Sequence, residues 1–108
     1  MTMNSVYADT EPARTEVDAM GGLMLIEFGA PWCGHCQSIQ PLLEQALADH
    51  PLVRHLKIED GPGRPLGRSF RVKLWPTLVF LLDGQECERL VRPTSLSAIR
   101  QALAKIGS

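Results

Sequence analysis

With 108 residues, 44% of them hydrophobic, and a formal charge of −1, the chain suits one compact domain, 1–108. A domain of this size buries roughly 65% of its unfolded surface and needs no metal or disulfide staple. No apolar run approaches about 18 residues, so no membrane-spanning helix is expected, and no basic run interleaved with aromatics offers a nucleic-acid footprint. Three cysteines, two of them in one short motif, argue against a secreted disulfide scaffold.

Acids and bases segregate along the chain: residues 1–60 hold nine Asp/Glu against three Lys/Arg, and residues 61–108 hold three against eight. That is either a dipole that steers partners or a set of solvated faces. Residues 1–11 lack a basic n-region and an apolar h-region, so a cytoplasmic location is expected, or a periplasmic one if an export signal has been trimmed away.

Residues 1–9 are weakly patterned, either a flexible lead-in or, at Ser5-Val6-Tyr7, a short edge strand. Thr10 reads as a helix N-cap with Glu11 and Pro12 in the first turn. Ala13, Val17 and Met20 share the inner face of that helix, and Gly21-Gly22 stops it. Leu23 to Phe28 shows no polar alternation, as expected of a central strand covered on both faces. Glu27 interrupts it, and desolvation there should raise its pKa.

The stretch Ala30-Pro31-Trp32-Cys33-Gly34-His35-Cys36 follows, where the buried strand gives way to a helix. A thiol at a helix N-terminus meets the positive end of the helix dipole, which favours thiolate over thiol and points to disulfide exchange. From Cys36, Ile39, Leu43 and Leu47 recur at helical spacing, with Gln40, Glu44 and Asp49 turned outward. Pro41 removes a backbone hydrogen bond inside this helix and should kink it.

Val53 to Ile58 reads as the next strand, Asp60-Gly61-Pro62-Gly63 as a loop, and a short helix starts near Pro65 and runs past Phe70. Thr77 to Leu82 and Glu86 to Val91 form a hairpin about Asp83-Gly84. Ser95 caps a final helix that places Leu96, Ile99, Leu103 and Ile106 on one face. The order is βαβ, then hairpin and helix: an α/β fold with a central mixed sheet of four to five strands and helices on both faces.

The carriers Trp32-Cys33-Gly34-His35-Cys36, Pro41, Trp75-Pro76-Thr77 and Asp83-Gly84, in this order and spacing, resemble the thioredoxin family over about residues 20–106. The resemblance implies the thioredoxin fold and a cofactor-free thiol–disulfide oxidoreductase that works through its own redox-active disulfide. Within the family, Ile26 to Cys36 looks closest to protein disulfide isomerase domains, which carry Cys-Gly-His-Cys and a glutamate at the position of Glu27. Typical thioredoxins have proline where His35 stands and aspartate where Glu27 stands.

Cys33, at the helix end, reads as the nucleophile, and Cys36, one turn deeper, as the resolving thiol. The competing reading is half of a zinc site, but a closed tetrahedral site needs four ligands, and only Cys87 and three scattered histidines remain. As His⁺, His35 would favour the Cys33 thiolate and make the disulfide more oxidising; alternatively it is an exposed side chain of little consequence. By resemblance Glu27 exchanges protons with Cys36 through water, and Lys57 on the neighbouring strand is either its charge partner or a surface lysine.

Trp75-Pro76 is by resemblance the cis-proline loop. With Trp32, Gly34 and Thr77 it would form the substrate surface. Arg92 stands where thioredoxins usually have glycine; it either approaches the cysteines or is a solvated arginine. Loop 60–64 is about two residues longer than usual. Cys87 reads as a buried, inert thiol. The function expected is reduction of protein disulfides, in a monomer recharged by thioredoxin reductase or another donor. An oxidase or isomerase is the alternative favoured by His35. A non-catalytic binding or chaperone module is the alternative favoured by Trp75, Arg92 and the long loop.

Overall fold

The computed structural model describes residues 3–107. Its elements are α1 (Arg14–Ala19), β1 (Leu23–Gly29), α2 (Gly34–Ser38), α3 (Gln40–Leu47), β2 (Arg54–Glu59), α4 (Pro65–Ser69), β3 (Thr77–Leu82), β4 (Gln85–Val91) and α5 (Leu96–Lys105). The sheet order is β2-β1-β3-β4, with β1 and β2 parallel and the other two pairs antiparallel.

Each strand presents alternate residues to opposite faces. On one face Leu25, Leu78 and Phe80 pack against Leu43 and Leu47 of α3 and Ile99 and Leu103 of α5. On the other, Met24, Ile26, Phe28, Val79 and Leu81 pack with Val17 of α1 and with Leu66 and Phe70 at α4. Residues 24–29 of β1 and 77–81 of β3 are therefore buried whichever way they point, which is why neither strand alternates in sequence. Truncating one of the fully buried leucines, such as Leu43, is expected to cost about 2–5 kcal/mol.

Several local expectations are corrected. Thr10 does not cap α1: Ala13 is the N-cap, and its N–H donates to Glu16 Oε1 at 3.0 Å. Glu11 lies outside the helix because its Oε1 accepts the Leu66 N–H at 2.9 Å, satisfying an orphan donor at the start of α4. Pro41 does more than kink a helix. It sits in the first turn of α3, and the expected single helix is split at Ile39, whose N–H turns back to Gln37 O. Phe70 is the C-cap of α4 rather than part of it.

Ser5-Val6-Tyr7 forms no strand; the segment lies along β2, with Ala8 N–H donating to Lys57 O at 2.9 Å. Residues 1 and 2, in the weakly patterned lead-in, lie outside the described residues.

Asp83 and Gly84 both adopt positive φ, 51° and 80°, as the tight hairpin requires. The β3–β4 register slips between Phe80 and Leu81: Phe80 faces Glu88 and Leu81 faces Glu86. Cys87 is the extra residue of this bulge on an edge strand, and it is exposed, not buried as its apolar character suggested. Ser95 caps α5, accepting the Ala98 N–H at 3.1 Å.

Candidate active site

The redox pair begins where β1 ends. Cys33 N–H bonds Ala30 O at 3.1 Å, closing a turn, and Cys33 becomes the N-cap of α2. The Cys36 N–H, an orphan donor of the first helical turn, points at Cys33 Sγ at 3.2 Å. A backbone N–H aimed at sulfur stabilises its anionic form, so the helix start that the sequence placed here prepares Cys33 to act as thiolate. Both cysteines are free thiols, Cys33 8% exposed and Cys36 only 2%. Burial, reinforced by the hydrogen bond to Cys33, pushes the Cys36 thiol up to about 12.

Gly29 permits this packing. A Cβ at that position would lie 2.5 Å from Cys36 Sγ and 3.2 Å from the Tyr7 hydroxyl.

Behind Cys36 lies a buried polar cluster. The parallel register sets Lys57 opposite Glu27 and His55 opposite Leu25, so all three polar side chains share the sheet face covered by α3. Glu27 is fully buried. Its Oε2 accepts Gln40 Nε2 at 2.8 Å and Lys57 Nζ at 3.2 Å, and its Oε1 is 2.9 Å from His55 Nε2. Gln40 also donates to Cys36 O at 2.7 Å and accepts from Lys57 Nζ at 2.9 Å. Burial alone raises the pKa of Glu27, as the sequence suggested. The hydrogen bond from His55, the charge of Lys57 and the hydrogen bond from Gln40 together outweigh it and hold the carboxyl below its usual range.

Gln40 therefore faces inward, contrary to expectation. It lies four residues after Cys36, and that spacing was the available signal. His55 also escaped the sequence reading. Its signal was position: two residues before Lys57, it points to the same side of β2.

Tyr7 completes the cluster from the N-terminal segment. Lys57 Nζ lies 4.8 Å from its ring centroid. Burial and the negative charge available at Cys36 and Glu27 hold the phenol well above its ordinary value. A hollow of about 420 Å³ opens between Tyr7 and Lys57 on one side and Cys36, Gln37 and Gln40 on the other, giving solvent a route to the cluster.

The outer surface carries the remaining candidates. The Trp75–Pro76 bond is cis. Trp32 is 71% exposed and meets the Trp75 ring edge-on, 5.3 Å between centroids. Trp75 Nε1 donates to Asp60 Oδ2 at 2.8 Å, and Asp60 N–H bonds Gly29 O at 2.8 Å. The long loop after β2 thus steadies the indole beside the dithiol, and Gly67 leaves the room its carboxylate needs. Thr77 is buried, donating to Leu74 O at 2.6 Å. Gly34 is exposed at the start of α2.

Arg92 is spent on the backbone of the cis-proline loop: it adopts φ 50°, in the left-handed region that favours glycine, and its Nε donates to Trp75 O at 2.8 Å. His35 is exposed, and its ring has no hydrogen-bond partner among the described residues. No three His, Cys, Asp or Glu side chains gather as metal ligands among the described residues.

A dithiol at a strand-to-helix junction, one sulfur facing a backbone N–H and the other backed by a buried acid, defines a thiol–disulfide exchange protein. The comparisons with known proteins agree. The Thioredoxin family model matches residues 5–105, and the chain belongs to the thioredoxin family. It is similar to the reduced form of thioredoxin 2 from Pseudomonas aeruginosa PAO1, with 56% identity, 96% of each chain covered and a TM-score of 0.86. Thioredoxin of Chlamydia muridarum is 44% identical over 71 residues, covering 65% of this chain and 69% of that protein. Protein disulfide-isomerase A2 of Pongo abelii is 46% identical over 65 residues, covering 56% of this chain but 12% of that protein. The protein is a thiol–disulfide oxidoreductase acting on protein disulfides, with a mixed four-stranded sheet as its scaffold.

Proposed function

We propose that the net reaction is reduction of client disulfides, with Cys33 as nucleophile, Cys36 as resolving thiol and Glu27 as proton acceptor. The observation that carries this reading is the division between the two sulfurs. Cys33 Sγ accepts the Cys36 backbone N–H and keeps 8% exposure, while Cys36, 2% exposed, is held as a thiol beside a hydrogen-bonded carboxylate.

The Cys33 thiolate attacks one sulfur of the client disulfide. A mixed disulfide forms, and the other client sulfur leaves as a thiolate. Cys36 then loses its proton toward Glu27 and attacks Cys33 Sγ. The mixed disulfide breaks, the second client thiolate departs and takes up a proton, and Cys33 and Cys36 are joined. The two electrons lost by the dithiol now reside in the client, and an external reductant of the thioredoxin-reductase class restores the starting state. Lys57 and Gln40 hold the carboxylate, while Trp32, Gly34 and Trp75 present the face that meets the client, with buried Pro76 and Thr77 behind it. Arg92 occupies the Trp75 carbonyl and narrows what that face can accept. The protein works as a monomer in a reducing, cytoplasmic setting on this reading; sizing chromatography and cell fractionation check both.

Turnover of a disulfide-bonded protein with an electron donor tests the scheme. Cys33→Ser should abolish it, and Cys36→Ser should stop at a trapped mixed disulfide. Full turnover by Cys33→Ser would remove the nucleophile assignment. A standard potential as high as about −180 mV would assign the protein to the oxidase or isomerase side instead.

A further inference from the structure

The two oxygens of Glu27 are occupied from different directions. Oε2 takes Gln40 and Lys57, and Gln40 ties that oxygen to the Cys36 carbonyl. Oε1 faces the His55 ring, whose side chain is fully buried. The other ring nitrogen of His55, Nδ1, lies 2.8 Å from the backbone N–H of Asn4. A backbone N–H can only donate, so Nδ1 must offer a lone pair. The ring proton then sits on Nε2 and points at Glu27 Oε1. A doubly protonated ring would set Nδ1–H against the Asn4 N–H.

We propose that His55 is a positioning residue of the redox site: locked by Asn4 as the neutral Nε2–H tautomer, it donates to Glu27 Oε1 and keeps Glu27 a carboxylate behind Cys36. The inference rests on Glu27 acting as the proton acceptor. It also makes the N-terminal segment part of the site, because Asn4 sets the tautomer from outside the sheet. The titratable and charged groups around the acid are Lys57 from β2, Cys33 and Cys36 from α2, and Tyr7 from the N-terminal segment; α3 contributes the neutral Gln40. Lys57 is the one cation among them, and it serves Oε2. Without His55, Oε1 is buried with no other hydrogen-bond donor among the described residues.

The test begins with the wild-type protein. Nitrogen NMR of the imidazole should report a neutral ring with its proton on Nε2 across the neutral pH range. A proton on Nδ1, or an imidazolium, overturns the proposal, and this measurement needs no variant to fold. Carboxyl-carbon NMR of Glu27 then compares His55→Leu, which removes the donor, with His55→Gln, which restores an N–H at similar reach. His55→Leu should raise the Glu27 titration by about one to two pH units, as expected for loss of a hydrogen bond to a buried charge. His55→Gln should reverse most of that rise. A Glu27 titration in His55→Leu equal to wild type overturns the proposal. Resolution of the mixed disulfide by Glu27→Gln is measured alongside. Wild-type resolution there would remove the proton-acceptor role, while a moved titration would still establish that His55 controls the acid.

Discussion

Replacing Glu27 with glutamine distinguishes two opposed accounts of a buried acid. If desolvation dominated, as the sequence alone suggests, removing the charge would relieve strain and stabilise the fold. The observed cluster predicts the reverse. Glutamine keeps one acceptor oxygen, but its amide turns a donor toward partners that are themselves donors: Gln40 Nε2, Lys57 Nζ and the His55 ring. Lys57, with a side chain only 7% exposed, loses its counter-charge and retains the Gln40 carbonyl oxygen. Breaking a buried pair from one side costs about 3–5 kcal/mol, a large share of the roughly 5–15 kcal/mol that holds a domain of this size together. A loss of about 3 kcal/mol lowers the melting temperature by about 12–24 °C.

The pH dependence carries a second signature. Because the folded Glu27 pKa is lowered, its contribution is fully present above the unfolded carboxyl value of about 4.3 and is lost as pH falls through the folded value. Urea denaturation at pH 7 should therefore show Glu27→Gln well below wild type. The gap should narrow as the pH is taken below about 4.3, because acid then does to the wild type what the substitution did. A variant as stable as wild type at pH 7, or more stable, would refute the reasoning and return the site to desolvation.

Three further outcomes follow from the same geometry. Because burial is the largest cause of the raised Cys36 thiol, Cys36 in Cys33→Ser should still resist iodoacetamide at pH 8 in the folded protein and react once it is unfolded, whereas exposed Cys87 should react in both states; prompt folded-state alkylation of Cys36 would contradict the burial argument. Gly29→Ala places a methyl 2.5 Å from Cys36 Sγ, and denaturation should register a loss of about 1–3 kcal/mol with slower disulfide closure, whereas wild-type behaviour would mean that α2 can shift freely. Asp60→Ala removes the acceptor of Trp75 Nε1, so the indole fluorescence should change and client KM should rise more than kcat falls; unchanged KM would detach the long loop from the client surface.

How far the fold could be read from the chain depended on the range of the forces that decide each element. The strands β1 and β3, the Asp83-Gly84 turn and the Ser95 cap are set by neighbours a few residues away, and they were legible. Glu11 was misplaced because its partner, the Leu66 N–H, lies across the fold and outweighs a local helix-start pattern. Cys87 is exposed against the general tendency of a free cysteine to be buried, because it is the extra residue of a bulge on an edge strand. Pro41 was noticed, but the division of one helix into two depends on how Ile39 N–H turns back to Gln37.

The dithiol was visible for the same reason that it works. A thiolate needs a helix N-terminus, and both lie within four residues of sequence. The acid behind it is different in kind. Glu27 was visible as an anomaly in an apolar strand, but its protonation depends on which residues of β2 and α3 stand against it. Those are fixed by the parallel register and by the rotation of a helix broken at Ile39. Shifting β2 by one residue would turn His55 and Lys57 to the opposite face, leaving the carboxylate with Gln40 alone. The electron-carrying part of the site is therefore written locally, and the proton-carrying part is written in the packing of the sheet. A substitution in β2 that preserves the fold can leave Cys33 reactive and still change how readily Cys36 gives up its proton.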